Sequence, residues 1–393
     1  MAIFVRNWKQ TSKGEHKQSE QKEISHTQQH EVQSIPGIPP EVFKQLTDSG
    51  ITSAEMEQHK GIIQDVLQAN QSGNKQPINQ IQTKQYMLPK YQQSSGNDII
   101  RIREIVTKTD PNDLYDDFKL IGEGGMGSVF TVKRKSDHSV IVLKKLKYHS
   151  IDKAQLVNEI TLVKKYRHQN IVQFIDCYLH SGIVWIGMEY MNGGTLKDLL
   201  VYQKEYPLSE QVISYIIHEI ANAVFYLHSY NCLHRDIKSD NIFLTQDGTI
   251  KLGDFGLAVQ LQSSNATRSD KVGTVFWMAP EVIRSNPYST KIDIWSLGVV
   301  MIEMIEGYPF YYSMNDLVAS IIIATKGAPP LQHPEKYSPC FVQLIENCLE
   351  YDPEKRWNAS EIVNHEFIQC DNCDEKKNCF IQYMKCIHDI MTK

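Results

Sequence analysis

Apolar positions are dense from residue 118 to 368, and their spacing changes along the way. Residues 118–121, 128–132 and 140–143 alternate or run apolar over short stretches, which predicts strands. Residues from about 154 to 166, 211–229 and 292–306 repeat at helical spacing, which predicts helices. The longest apolar run, 294–302, is bracketed by Asp293 and Glu303. It predicts a buried helix and falls well short of the roughly 20 residues a membrane span requires. A second patterned stretch occupies residues 34–70. Pro39-Pro40 opens a helix carrying Val42, Phe43 and Leu46 on one face, and Gly50 stands where a C-cap is wanted. Thr52 with Glu55 forms a capping box for a second helix, and Ile62, Ile63, Val66 and Leu67 mark a third. Three short helices cannot build a stable core alone, so they are expected to pack on something larger. Residues 1–33, rich in Gln, Lys, Glu and His, read as a disordered tail, and 71–113 as a polar linker.

Composition narrows the classes. The chain has 393 residues, 41% hydrophobic and 22% charged, enough for at least one core. A formal net charge of -5, with 41 basic against 46 acidic residues, gives no footprint for nucleic acid. Residues 1–10 lack an apolar signal stretch, so a reducing, cytoplasmic setting is expected, with disulfides disfavoured. Cys177, Cys232, Cys340 and Cys348 read as core thiols. The last four cysteines, Cys370, Cys373, Cys379 and Cys386, crowd residues 369–393. They offer thiols for zinc, but the second pair lacks the usual close spacing, so free thiols on a helical tail are the expectation.

Several motifs carry candidate chemistry. Gly122-Glu123-Gly124-Gly125-Met126-Gly127-Ser128-Val129 fits G-x-G-x-x-G-x-V. A dinucleotide-binding fold would start a helix straight after these glycines. Here the β-branched 128–132 follows, so the loop lies between two strands and reads as a flap whose backbone N–H groups cover phosphates. Lys144 ends the next strand, and Glu159 on the following helix is its natural ion-pair partner. His234-Arg235-Asp236-Ile237-Lys238-Ser239-Asp240-Asn241 sits between apolar residues. Asp254-Phe255-Gly256 comes after a hairpin with Asp247-Gly248 at its turn, and then Ala279-Pro280-Glu281.

With these motifs in this order, residues 118–368 resemble a protein kinase domain. The resemblance implies an α+β, bilobal fold: a small lobe of antiparallel sheet plus one helix, and a large, mostly helical lobe. Lys238 resembles serine/threonine kinases, and 234–241 with Trp277-Met278-Ala279-Pro280-Glu281 resembles the sterile-20 group and its PAK family. The same resemblance implies ATP and Mg²⁺ as cofactors and a role for each site residue. By it, Lys144, oriented by Glu159, holds the α- and β-phosphates; Asn241 and Asp254 ligate Mg²⁺; Asp236 handles the proton of the substrate hydroxyl; Lys238 sits near the γ-phosphate. It likewise implies that Ile121, Val129, Val142 and Phe243 sandwich adenine, that Glu189 to Met191 form the hinge, and that Met188 is the gatekeeper. Val163, Phe174, His234 and Phe255 would stack as a spine, Asp293 would anchor the catalytic loop, and Arg356 would pair with Glu281. Asp198 and Asp240 fall where related kinases meet basic residues, which suggests protein substrates with Ser or Thr near basic residues.

Residues 34–70 resemble the autoinhibitory helices of the PAK family, and the resemblance implies control by a Rac-type small GTPase in signalling to the cytoskeleton. The counterpart of the GTPase-binding motif, Ile24-Ser25-His26 to His30-Glu31-Val32, lacks the family's Pro, Phe and Gly. In the family a phosphorylated Thr stands four residues before the position of Thr274. Here Asp270 stands there, beside Ser269, with Arg235 as its expected partner. A carboxylate carries less charge than a phosphate, so partial mimicry is expected, with phosphorylation of Ser269 as the alternative trigger. Two competing readings are a pseudokinase scaffold, which needs damage at Lys144, Asp236, Asn241 or Asp254, and a sterile-20 kinase without GTPase control.

Overall fold

A computed structural model describes residues 35–71, 85–86, 105–124, 127–147, 153–369 and 372–391. The tail motif at Ile24 to Val32, Gly125, Met126 and Cys370 lie outside them. Within the stretch expected as linker, Gln85–Tyr86 form a short strand, β1. The alternating stretches then fold as β2 (Tyr115–Gly124), β3 (Gly127–Arg134) and β4 (Val140–Lys147), joined by β5 (Phe174–His180) and β6 (Ile183–Glu189). The sheet is antiparallel throughout, in the order β2-β3-β4-β6-β5. One face buries Tyr115, Val132, Ile141, Leu143, Tyr178 and Trp185. The helix Lys153–Lys165 buries Leu156, Ile160, Leu162 and Val163.

The large lobe is built around Lys291–Glu306, in which every residue from Ile292 to Met304 is buried. A helix apolar on all sides suits the centre of a lobe. Its Asp293 and Glu303 are carried inside with it, and buried carboxylates require partners. Glu210–Ser229, started by the Ser209 cap, and Pro339–Cys348 pack against it, while Asp316–Lys326 packs on Pro280–Ile283 and Val275–Trp277. The hairpin Ile242–Leu244 to Ile250–Leu252 turns at Gly248, whose φ of 83° is open to glycine at little cost.

The N-terminal helices form at Pro40–Asp48, Ser53–Gln58 and Lys60–Gln71, and the capping box of Thr52 and Glu55 is present. Leu46, Met56, Ile63 and Val66 are buried in the same core cluster as the large lobe. The partner helix is Asp316–Lys326. Lys326 Nζ lies 2.9 Å from Glu55, and Asn315 donates to Gln45 at 2.8 Å. Among the described residues no helix is long and apolar enough to cross a membrane.

Several expectations need correction. The linker expected through 113 joins the small lobe earlier: Val106 is buried, Thr107 N–H donates to Cys177 O at 2.8 Å, and Pro111–Leu114 is a helix capped by Asp110. A single turn and one bridge bury too little for hydropathy to reveal. The C-terminal residues form the helix Cys373–Met391, whose Phe380, Met384 and Ile387 are buried. It packs on Glu210–Ser229. Cys373 is disulfide-bonded rather than a free thiol, whereas Cys379 and Cys386 are free. Cys340 is only half-buried.

Candidate active site

The cleft starts with the β2–β3 hairpin. Gly127 has a φ of 145°, and a Cβ there would lie 2.0 Å from the Lys145 carbonyl oxygen, so only glycine lets this loop sit against β4. Ile121 and Val129 are half-buried, Val142 is buried and pairs with Met188 across the sheet, and Met191 is buried beyond the strand. Phe243 packs against Gly253, just before Asp254. Glu189 is held by Lys251 Nζ at 2.7 and 2.8 Å.

Lys144 on β4 meets Glu159 on the helix Lys153–Lys165 at 3.2 Å. The Glu159 carboxylate holds the lysine above its ordinary pKa against the cost of burial, with Asp254 adding to the pull. Asp254 has the left-handed φ of 59°. Burial pushes its carboxyl up, but the Lys144 ammonium and the Gly256 N–H outweigh this, so it stays below the usual carboxylate range. Its carboxylate and the amide oxygen of Asn241 are hard oxygen donors, a set that suits Mg²⁺.

Asp293 fixes the catalytic loop from the central helix. It accepts from His234 N–H at 2.9 Å, Arg235 N–H at 2.8 Å and His228 Nε2 at 2.9 Å. Val163, Phe174, His234 and Phe255 are all buried, and the rings of His234 and Phe255 meet edge-on at 5.1 Å. Asp236 is held on both oxygens. Thr274 Oγ1 donates to one at 2.7 Å, while Lys238 Nζ at 2.8 Å and Asn241 Nδ2 at 2.9 Å donate to the other. Lys238 Nζ also reaches Thr274 Oγ1 at 2.8 Å. Arg356 and Glu281 form a buried pair at 2.6 and 3.1 Å.

Asp270 is where the stretch between Asp254 and Glu281 meets this loop. Its carboxylate accepts from Arg235 Nη1 at 2.7 Å, Arg268 Nε at 2.6 Å and Tyr288 OH at 3.0 Å. Burial opposes its ionisation, but the two guanidinium groups outweigh it and hold the carboxyl down at about 2. Ser269 beside it is exposed. Arg268 and Tyr288 escaped sequence reasoning, and they meet Asp270 through a short bridge, Arg268 to Tyr288, that no local pattern announces.

The two acidic residues expected to meet substrate differ. Asp198 is taken up by a capping box with Thr195, accepting its N–H at 2.8 Å. Asp240 stays partly exposed, 3.6 Å from Lys197. Sequence reasoning also passed over the partners of Glu303, which joins Ser239 and Trp277.

The Protein kinase domain family matches residues 115–368. Serine/threonine-protein kinase PAK 1 of Mus musculus is 42% identical over 270 residues, covering 68% of this chain and 49% of that protein. Serine/threonine-protein kinase pakC of Dictyostelium discoideum is 39% identical over 280 residues, 70% of this chain and 59% of its own length. Serine/threonine-protein kinase STE20 of Yarrowia lipolytica is 41% identical over 271 residues, 69% and 24% respectively. The matches thus span less than two thirds of each of these relatives.

Proposed function

Because this chain belongs to the protein kinase family, we propose that it transfers the γ-phosphate of ATP to serine or threonine hydroxyls of proteins, in the manner of the PAK and Ste20 kinases it is similar to. One observation carries the reading: the catalytic set is complete and assembled, with Lys144 paired to Glu159 and Asp236 held by Lys238, Asn241 and Thr274. That same completeness weighs against a pseudokinase scaffold. Phosphoryl transfer depends mainly on positioning and charge neutralisation. Lys144 holds the α- and β-phosphates. Mg²⁺, held by Asp254 and Asn241, would neutralise phosphate charge when bound. Asp236 orients the acceptor hydroxyl and takes its proton, and Lys238 offsets charge on the group in transit. Asp240 favours basic residues in the substrate, which would displace Lys197 from it. A peptide array with the purified protein and Mg-ATP tests the reading; phosphate found only on tyrosine, or on nothing, overturns it.

Autoinhibition by the N-terminal segment belongs to the same proposal. Two features support it. The helices within 35–71 cover the large lobe at Asp316–Lys326. The strand β1 pairs with Gly273 and Thr274, and Thr274 Oγ1 donates to Asp236. Deleting residues 1–104, which leaves Val106 and Thr107 on the sheet, is expected to raise activity, and the fragment added in trans to lower it. Unchanged rates in both assays would remove the idea. A Rac-type GTPase acting through the tail, signalling to the cytoskeleton and a cytoplasmic location complete the proposal.

Asp270 gives the activation segment its counter-charge without phosphorylation. A protein made free of phosphate is expected to be active, and Asp270→Ala to lose activity at least several-fold, because Arg235 would be left without its carboxylate. Equal rates for the two proteins, or strict dependence on phosphate at Ser269, would count against it.

A further inference from the structure

In the turn Ser239–Asn241, Ser239 and Asn241 are buried and Asp240 faces outward. Asn241 bonds Asp236 directly, its Nδ2 donating to the main-chain oxygen at 2.7 Å and to the carboxylate at 2.9 Å. The outward carboxylate therefore stands one residue from a side chain that touches the catalytic aspartate. A cation of the chain itself already faces it: Lys197 Nζ lies 3.6 Å from Asp240 Oδ2. We infer that Lys197 is a specificity-determining residue, a built-in stand-in for the basic side chain of a substrate, and that its presence makes the Asp240 subsite take arginine in preference to lysine. This inference rests on the kinase reading and on the substrate preference proposed for Asp240.

Lys197 is held in place by its neighbours. Leu196 is fully buried, and Asp198 closes the capping box on Thr195, which fixes the start of the short helix Leu196–Leu200. That helix packs on the turn Ser239–Asn241. Burial would push the Lys197 ammonium toward losing its proton. The Asp240 carboxylate, with Glu303 and Tyr312, outweighs this and holds its pKa above the ordinary lysine value, so the group is charged at neutral pH. At 3.6 Å the contact is an ion pair without a hydrogen bond, and the two side chains are 38% and 47% exposed. Such a pair is weak and exchanges readily. An incoming lysine replaces one ammonium by another and gains little. An incoming arginine brings a planar fork that engages both carboxylate oxygens and can lie on an aromatic face. Tyr312 supplies an aromatic ring close by: it is 40% exposed, packs on Phe276 at 5.4 Å and adds to the pull on Lys197. Substrate arginine thus displaces Lys197, whereas substrate lysine only trades places with it.

Peptides carrying Arg, Lys or Ala at each position before the phosphoacceptor test this with the full chain and Mg-ATP. Ratios of kcat/KM taken within one protein cancel any general loss of activity. At the most selective position the wild type should favour Arg over Lys by about two- to fivefold, the scale of one exposed ion pair. Lys197→Met should raise the Lys-to-Ala ratio by a similar factor and narrow the gap between Arg and Lys. Lys197→Arg should lower both the Arg-to-Ala and Lys-to-Ala ratios, because its own fork keeps the carboxylate. With Asp240→Asn in place, Lys197→Met should leave the ratios level, since the two residues act through one contact. Unchanged ratios in Lys197→Met, ratios that shift equally in the Asp240→Asn background, or a wild type that takes Lys as well as Arg would each overturn the inference. Lys197→Gln replaces Lys197→Met if that variant fails to fold. A wild type that phosphorylates no peptide overturns the kinase reading instead. The Kd values of the same peptides with the acceptor changed to Ala, compared between wild type and Lys197→Met, then judge Lys197 by the same ratios.

Discussion

Asp236→Asn should lower turnover by about 10²–10⁴-fold while the protein stays folded. The side chain keeps its shape, so the contacts from Asn241 and Thr274 can be largely retained. It loses its charge and one of its two acceptor oxygens. Lys238 Nζ, 2.8 Å from the oxygen that Asn241 also meets, then faces a neutral amide oxygen in place of a carboxylate, and the acceptor hydroxyl loses the group that takes its proton. Single-turnover rates with a peptide substrate, alongside thermal melts of both proteins, separate the chemical defect from a folding defect. Near-normal turnover would withdraw the role given to Asp236.

Arg356→Ala should destabilise the fold strongly, by about 3–5 kcal/mol. The guanidinium is fully buried and makes two bonds to Glu281 at 2.6 and 3.1 Å. It also donates to the Glu350 carbonyl at 2.8 Å and lies over the Trp295 ring at 5.1 Å. Removing it strands the Glu281 carboxylate away from water and empties a space on the central helix. For a domain of this size, each kcal/mol is worth about 2–4 °C, so the melting temperature should fall by roughly 6–20 °C. Adding Glu281→Gln should recover part of the loss, since the pair is coupled. A melting temperature within about a degree of wild type would show that water reaches the pair.

The parts legible in the sequence were those with a local cause. Alternation at 128–132 and 140–143 placed β3 and β4, and their register carried Lys144 to Glu159. Thr52 and Glu55 announced their helix because both halves of the cap lie within one turn. Asp270 and Arg235, 35 positions apart, came together only because a family pattern set them side by side. Beyond such patterns the chain gives little notice. Tyr288 and Arg268 converge on Asp270 from a bridge of one residue each, and Glu303 reads as the polar end of an apolar run. Asp198 has a role that the motif reading passed over: a carboxylate three residues after Thr195 can cap its own helix, and here it does. Residues 105–113 read as linker because an edge bridge and a four-residue helix need few apolar side chains.

The carboxylate at position 270 is part of the covalent chain and forms its contacts with Arg235, Arg268 and Tyr288 as soon as the protein folds. A phosphatase finds nothing there to remove. A kinase armed by phosphorylation keeps a record of its last stimulus until that phosphate is hydrolysed, and the lifetime of the record sets how long a signal outlasts its cause. If Asp270 does the work proposed for it, this segment stores no such record at position 270. Under the proposed autoinhibition, output would instead track the moment-to-moment balance of the N-terminal helices on and off Asp316–Lys326, and would subside as fast as they rebind.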